Sequence, residues 1–318
     1  FGQNMTSLTY SLSRAMGRMM KSGEEIIITA LDHEANRGPW LALEESGIVI
    51  REVRMQPNGI LDYRDLKEKV NPHTRLIALG YCSNALGTVN NVQMARELAD
   101  KVGAWLLLDA VHYAAHFPID VQTIGCDFLL CSAYKFYGPH VGMLYSKPGL
   151  LDLLPVDRLR TQEQAAPYLI ETGTLNHAAL AGVSATIDYI ASFGSGNNYR
   201  EKIVDAMETI SGYEHRLGEQ LYRGLSSMHG VKIQGVDFMD SQRAPTISFL
   251  VEGMTASQLC EKLSERSICA WDGHFYAIRA MEMLGLQEKG GVTRLGVLVY
   301  NTLEEIDYTI SAINEIIP

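Results

Sequence analysis

Residues 104–108 form a near-continuous apolar run, Ala-Trp-Leu-Leu-Leu, that ends on Asp109. A strand with one wet face alternates apolar and polar residues. A run without alternation is buried on both faces, which suits a parallel sheet covered by helices. Apolar runs of strand length also occur at 25–30, 48–55, 74–81, 127–131 and 141–145. Between them lie helical patterns at 6–21, 62–70 and 92–102, and a helix ending near Ser46 with Pro39 in its first turns. In the first of these, Leu8, Leu12, Ala15, Met16 and Met19 share one face. Strand and helix in alternation are the α/β pattern.

The rhythm changes from about Pro155. Long helices are expected at 176–193 and 199–228, split by the breaker Gly194-Ser-Gly-Asn-Asn198. That loop lacks the Lys-Ser/Thr that completes a phosphate-binding loop. Beyond it come strands at 231–234, 246–251, near Ile268 and at 292–299. Helices are expected at 256–265, at 276–284 and after Thr302. A chain of 318 residues exceeds one ordinary core. The expected division is a large domain over 1–154, a connection over 155–198 that includes the start of the long helices, and a small α+β domain over 199–318. Gly2-Gln-Asn-Met5 reads as a turn opening a helix with no strand before it, so part of the large domain is expected upstream of Phe1.

A net charge of −10 argues against a nucleic-acid backbone or an anionic membrane as main partner. No apolar run is long enough to span a bilayer. Cys82, Cys126, Cys131, Cys260 and Cys269 are scattered, with no CxxC pair, which points to a reducing cytoplasm and free thiols.

In an open parallel sheet the carboxyl ends of the strands line the ligand crevice. Here those ends carry His33, Asn84, Asp109 and the stretch 132–135. Each alone is ordinarily structural, since Asp and Asn also cap helices. Together their types fit pyridoxal 5′-phosphate (PLP). Lys135, at a strand-to-turn edge before a Gly-Pro turn, is the expected Schiff-base lysine and proton shuttle. Asp109 supplies the carboxylate that keeps the pyridine nitrogen protonated and the ring an electron sink. Gln3, Asn4 and Met5 at the first helix start, with Ser132, suit a phosphate. His33 can stack on the ring, and Asn84 and His112 can donate to its phenolic oxygen. Tyr134 stands beside the lysine and is counted with the cofactor's surroundings.

The quoted stretches resemble fold-type I PLP enzymes of the class V aminotransferase family, and within it cysteine desulfurase-like proteins. They are Leu31-Asp-His33 with Pro39-Trp40, Ser83-Asn-Ala-Leu-Gly-Thr88, Asp109-Ala-Val-His112, Ser132-Ala-Tyr-Lys135-Phe-Tyr-Gly-Pro139, Glu171-Thr-Gly-Thr174 and Thr293-Arg-Leu-Gly-Val-Leu-Val-Tyr-Asn-Thr302. The resemblance implies a PLP-transferase type I fold: a mostly parallel central sheet flanked by helices, with a smaller α+β C-terminal domain. It implies a small amino-acid substrate whose α-carboxylate Arg294 grips as a bidentate fork, with Asn84 beside it. It also implies a homodimer with sites at the subunit interface, where Gly173 and Thr174 reach the neighbouring subunit's phosphate.

This chain departs from the pattern at three places. Tyr134 replaces a frequent His, and His112 a frequent Gln. Where desulfurases carry Arg-x-Gly-His-His-Cys, the chain reads Trp271-Asp-Gly-His-Phe-Tyr276. Tyr276 thus falls at the nucleophile's position and is counted with the substrate-binding residues. A phenol is much less acidic than a thiol and cannot replace its thiolate. Cys269 is near in sequence, but Ile268 and Ala270 beside it predict core. Transamination and C–S lysis are therefore open alongside desulfuration. A non-catalytic protein keeping the fold is the rival, opposed by the joint presence of Lys135, Asp109, His33 and Arg294. A zinc site at Asp109, His112 and His116 lacks an HExxH glutamate. A nicotinamide enzyme would need a GxGxxG that is absent.

Overall fold

The computed structural model describes residues 1–239 and 242–317. Six strands form one sheet: β1 (Glu25–Thr29), β2 (Val49–Val53), β3 (Thr74–Gly80), β4 (Trp105–Asp109), β5 (Phe128–Ser132) and β6 (Gly142–Ser146). Their spatial order is β2-β1-β3-β4-β5-β6. The first five run parallel, and β6 is antiparallel to β5. Successive side chains on a strand point to opposite faces. Ile27, Leu106 and Leu108 accordingly enter one apolar cluster, and Ile26, Ile28 and Leu107 the other. Helix Val92–Val102 covers the first face; helix Met5–Met19 covers the second through Leu8, Leu12, Ala15 and Met16.

A smaller sheet takes the order β7-β8-β10-β9 and is antiparallel throughout. Its strands are β7 (Val231–Gln234), β8 (Thr246–Val251), β9 (Trp271–Gly273) and β10 (Val292–Gly296). Helices Tyr199–Ser226, Ala256–Ser264 and Leu303–Ile316 close its apolar cluster. Among the described residues, no helix is long and apolar enough to cross a membrane.

Three local expectations are corrected. The strand expected near Ile268 lies at Trp271–Gly273 instead. Ile268 N–H bonds back to Leu263 at the end of helix Ala256–Ser264, so it finishes that helix's turn and enters the core. The helix expected up to Ser46 is broken into the α-turn Gly38–Leu41, with Pro39 in its first turn, and the 3₁₀ segments Glu34–Asn36 and Ala42–Ser46. Ahead of helix Met5–Met19, Gly2 is not simply a turn residue: it makes an antiparallel bridge to Gly142, with N···O distances of 3.0 and 2.7 Å.

That bridge needs a glycine at 142. A Cβ there would sit 2.4 Å from the carbonyl carbon of Asn4, a backbone atom that cannot turn aside. Gly142→Ala is expected to destabilise the protein by about 1–3 kcal/mol, the usual cost of overpacking. A denaturation midpoint equal to the parent's would show that the N-terminal segment gives way freely.

Candidate active site

Four parallel strands deliver polar groups to one edge. After β1 the chain turns through Leu31-Asp32-His33. Asp32 is buried; its carboxylate accepts from Gly80 N–H at 2.8 Å and from Asn36 Nδ2 at 3.1 Å. His33 caps the next turn, its Nδ1 accepting from Ala35 N–H at 2.9 Å, which leaves the neutral ring's proton on Nε2. Burial chiefly, then the charge of Lys135, lowers its pKa to about 4, so the ring is uncharged near neutrality.

At the end of β4, Asp109 is buried and accepts from Val111 N–H at 2.9 Å. Burial pushes its carboxyl up to about 6. Asp32 is pushed up to about 7, chiefly by burial and further by the Asp109 charge, against the lowering effect of the Gly80 N–H. Two buried carboxyls thus stand at the ends of β1 and β4, the strands on either side of β3.

The end of β5 carries Ser132 and the 3₁₀ turn Ala133–Lys135. Buried Ser132 Oγ accepts from Met5 N–H at 2.9 Å and seats the start of the first helix beside the lysine. Asn4 caps that helix, accepting from Ser7 N–H at 2.9 Å, with its own N–H 3.3 Å from Ser7 Oγ. Gln3 is exposed just before them. Lys135 opens onto the cleft, yet the surrounding protein lowers its pKa, and the Arg294 guanidinium adds to this. Its Nζ lies 5.5 Å from the Tyr134 ring, which stacks on His140 at 4.5 Å.

The smaller sheet closes the edge. Arg294, on β10, donates to the Asn84 carbonyl at 2.7 Å and lies 4.1 Å over the Phe275 ring. Burial lowers its pKa to about 10. Asn84 Nδ2 donates to the Phe275 carbonyl at 2.7 Å. His112 Nε2 is 3.0 Å from Thr246 Oγ1 on β8. Burial first, then His116, Arg294 and Lys135, hold His112 well below the usual imidazole range. Phe275 and Tyr276 are consecutive left-handed residues, with φ of 52° and 60°, a conformation that costs free energy in a side-chain-bearing residue. Tyr276 N–H donates to His274 Nδ1 at 3.0 Å, and its carbonyl accepts from Glu34 N–H at 2.8 Å. Its exposed ring stands 5.5 Å from that of His33.

Lys135, His33, His112 and Arg294 therefore share one electrostatic neighbourhood, with Asn84 and Tyr276 tied to it by hydrogen bond and ring contact. Asp109 joins it from the same strand end as His112. Gly173 and Thr174 lie apart on an exposed segment. The sequence reading missed Asp32, Thr246 and Phe275. Asp32 was signalled by its place beside His33; for Thr246 there was no local signal. Cys269 is exposed, against the expectation of core: it follows the turn that buries Ile268 and precedes the sheet's edge strand.

The donor set fits PLP. The raised carboxyl of Asp109 lacks what a protonated ring nitrogen would supply, and Lys135 is an accessible amine of lowered pKa. A mostly parallel sheet with this set at its carboxyl edge is that of the type I PLP-dependent enzymes. Residues 1–309 match the family Aminotransferase class-V, and the chain belongs to that family of PLP-dependent enzymes. It is 33% identical to an aminotransferase-like protein of Gibberella zeae over 99% of this chain and 78% of that one. It is 30% identical to a probable cysteine desulfurase of Synechocystis sp. over 91% of this chain and 68% of that one. Its fold superposes with a TM-score of 0.88 on the apo structure of a cysteine desulfurase from Thermococcus onnurineus NA1, at 26% identity, covering 99% of this chain and 78% of the other.

The raised carboxyls have a consequence in the cofactor-free protein. A carboxyl whose pKa is about 7 folded and about 3.9 unfolded binds protons more tightly when folded. Its contribution to stability is complete below the unfolded pKa and is lost as pH rises through the folded one. Asp32→Asn is expected to flatten the stability–pH curve between those two values. Denaturation midpoints across that window check it, and a curve parallel to the parent's would remove Asp32 from the account.

Proposed function

We propose that this chain is a cysteine desulfurase-like PLP enzyme that removes the α-proton of a small amino acid. The observation that carries the reading is the meeting of Lys135, its pKa lowered, with Arg294 at one cleft. The bound PLP would supply an electron sink for the charge left at the α-carbon. Asp109 would hold the ring nitrogen's proton from below, and neutral His33 would cover the ring's face. Asn84 and His112 would address the phenolic oxygen. The helix start at Gln3, Asn4 and Met5, with Ser132, would hold the phosphate. Arg294 would orient the substrate carboxylate, and Lys135 would take and return the proton.

Tyr276 supports a branch without persulfide chemistry, either transamination or C–S lysis. Its ring stands 5.5 Å from that of His33, and on this reading it takes the place of the desulfurase cysteine. Cys82 and Cys131, buried, are pushed up to about 12 and stay protonated. The same reading includes division into units over 1–154, 155–198 and 199–318, and a homodimer in which Gly173 and Thr174 serve the partner's phosphate. Exposed Leu159 and Tyr168 near that segment support the dimer. A cytoplasmic setting is supported by five free cysteines.

The test is the visible spectrum of the protein with PLP, before and after L-cysteine and other small amino acids. A band that Lys135→Ala abolishes, and that an amino acid shifts, is expected. Sulfide, alanine and pyruvate assays then choose the branch. A folded protein with no such band would overturn the reading. Arg294→Lys keeps the charge but loses the fork. Its half-saturating amino-acid concentration is expected to rise about 10- to 100-fold, the worth of a charged hydrogen bond.

A further inference from the structure

We propose that Glu214 and His116 form a buried positioning dyad that seats His112 in the site and couples the long helix Tyr199–Ser226 to the reaction centre. The inference rests on the PLP reading above and gives a role to residues that reading leaves unused.

Glu214 lies in the middle of the 28-residue helix and is fully buried, at 0% exposure. A carboxyl in that position is costly unless paired. His116, in the turn after β4, supplies the pair: its Nδ1 is 2.7 Å from Glu214 Oε2. The His116 ring then meets the His112 ring nearly edge-on, with centroids 5.1 Å apart and planes at 74°. Thr246 Oγ1 holds His112 from Nε2. His112 is thus fixed by two contacts, and only one of them belongs to the smaller sheet.

The dyad also reaches the lysine turn. Glu214 Oε1 and Tyr137 Oη are both buried and face one another beside the Val299 backbone. The Glu214 charge acts on Tyr137, which follows Lys135 by two positions on left-handed backbone, φ 71°. One carboxyl therefore faces the supports of two site residues, His112 through His116 and Lys135 through Tyr137. The surrounding cluster joins Ala133, Phe136 and Val141 of the large sheet's edge to Ala206, Met207 and Ile210 of the helix. An apolar pair of similar volume would serve that packing equally well. What an apolar pair cannot supply is a shared proton held behind His112, in surroundings where charge acts strongly. Charge held there opposes protonation of His112, on which His116 acts.

The test uses the full chain with ¹⁵N-labelled histidine. Glu214→Gln keeps shape and one acceptor but removes the charge. The double variant His116→Phe with Glu214→Leu keeps an apolar filling, and serves if the first does not fold. The dyad predicts that the ring nitrogen shifts of His112 move in either folded variant at neutral pH, before any cofactor is added. It also predicts that the pH titration of the PLP-loaded visible band moves in the same variants. Ring shifts and band titration equal to the parent's in a folded variant would overturn the dyad. A parent that develops no Lys135-dependent band would instead sink the PLP reading, so the two failures are told apart.

Discussion

The site depends on Asn84, which fastens the two sheets with both ends of one residue. Its carbonyl receives Arg294 Nη1 and its side-chain amide holds the Phe275 carbonyl. The segment around it continues the seam. Ser248 Oγ donates to the Ala85 carbonyl, and Ala244 N–H donates to the Gly87 carbonyl at 2.8 Å. Gly87 adopts φ 76°, and a Cβ there would lie 2.8 and 2.9 Å from two carbonyl oxygens of the smaller sheet's approach. Only glycine permits that closeness. Without this seam Arg294 would face solvent, and the carboxyl edge of the large sheet would be an open rim.

Burial sets the charge states around the seam, and it acts on acids and bases in opposite senses. It raises Asp32 and Asp109 and lowers His33, His112, Lys135 and Arg294. Every shift favours the uncharged form. A cleft biased this way gains by receiving compensating charge from outside: a cation for the acids, an anion for the arginine. A cofactor with a protonated ring nitrogen and a substrate with a carboxylate meet both demands. Fold and electrostatics therefore point to the same kind of occupant.

Much of this was legible in the sequence because it follows from short-range pattern. The unalternating run at 104–108 gives a central parallel strand, and polar residues at strand ends give the edge where ligands gather. The remainder depends on contacts between distant residues. Glu214 and His116 are 98 positions apart and Arg294 and Asn84 are 210 apart, distances at which periodicity carries no signal. Ile268 misled because apolar residues close a helix turn as readily as they fill a strand, and only the Leu263 hydrogen bond separates the two. Cys269 misled because apolar sequence neighbours do not fix which way the side chain between them points.

Tyr276 is where chemistry and mechanics bear on one another. A nucleophile carried on a loop must advance on its target and retreat with its load. The segment around Tyr276 is held to the large sheet's edge at Glu34 N–H and Asn84 Nδ2, and internally at His274. It also spends free energy on two left-handed residues in a row, and that geometry persists only where surrounding contacts enforce it. A segment so tied is suited to walling a site rather than to travelling across it. On the reading proposed above, the braced backbone at Tyr276 suits enclosure of the site rather than delivery of a group to it, and the reaction is left to Lys135.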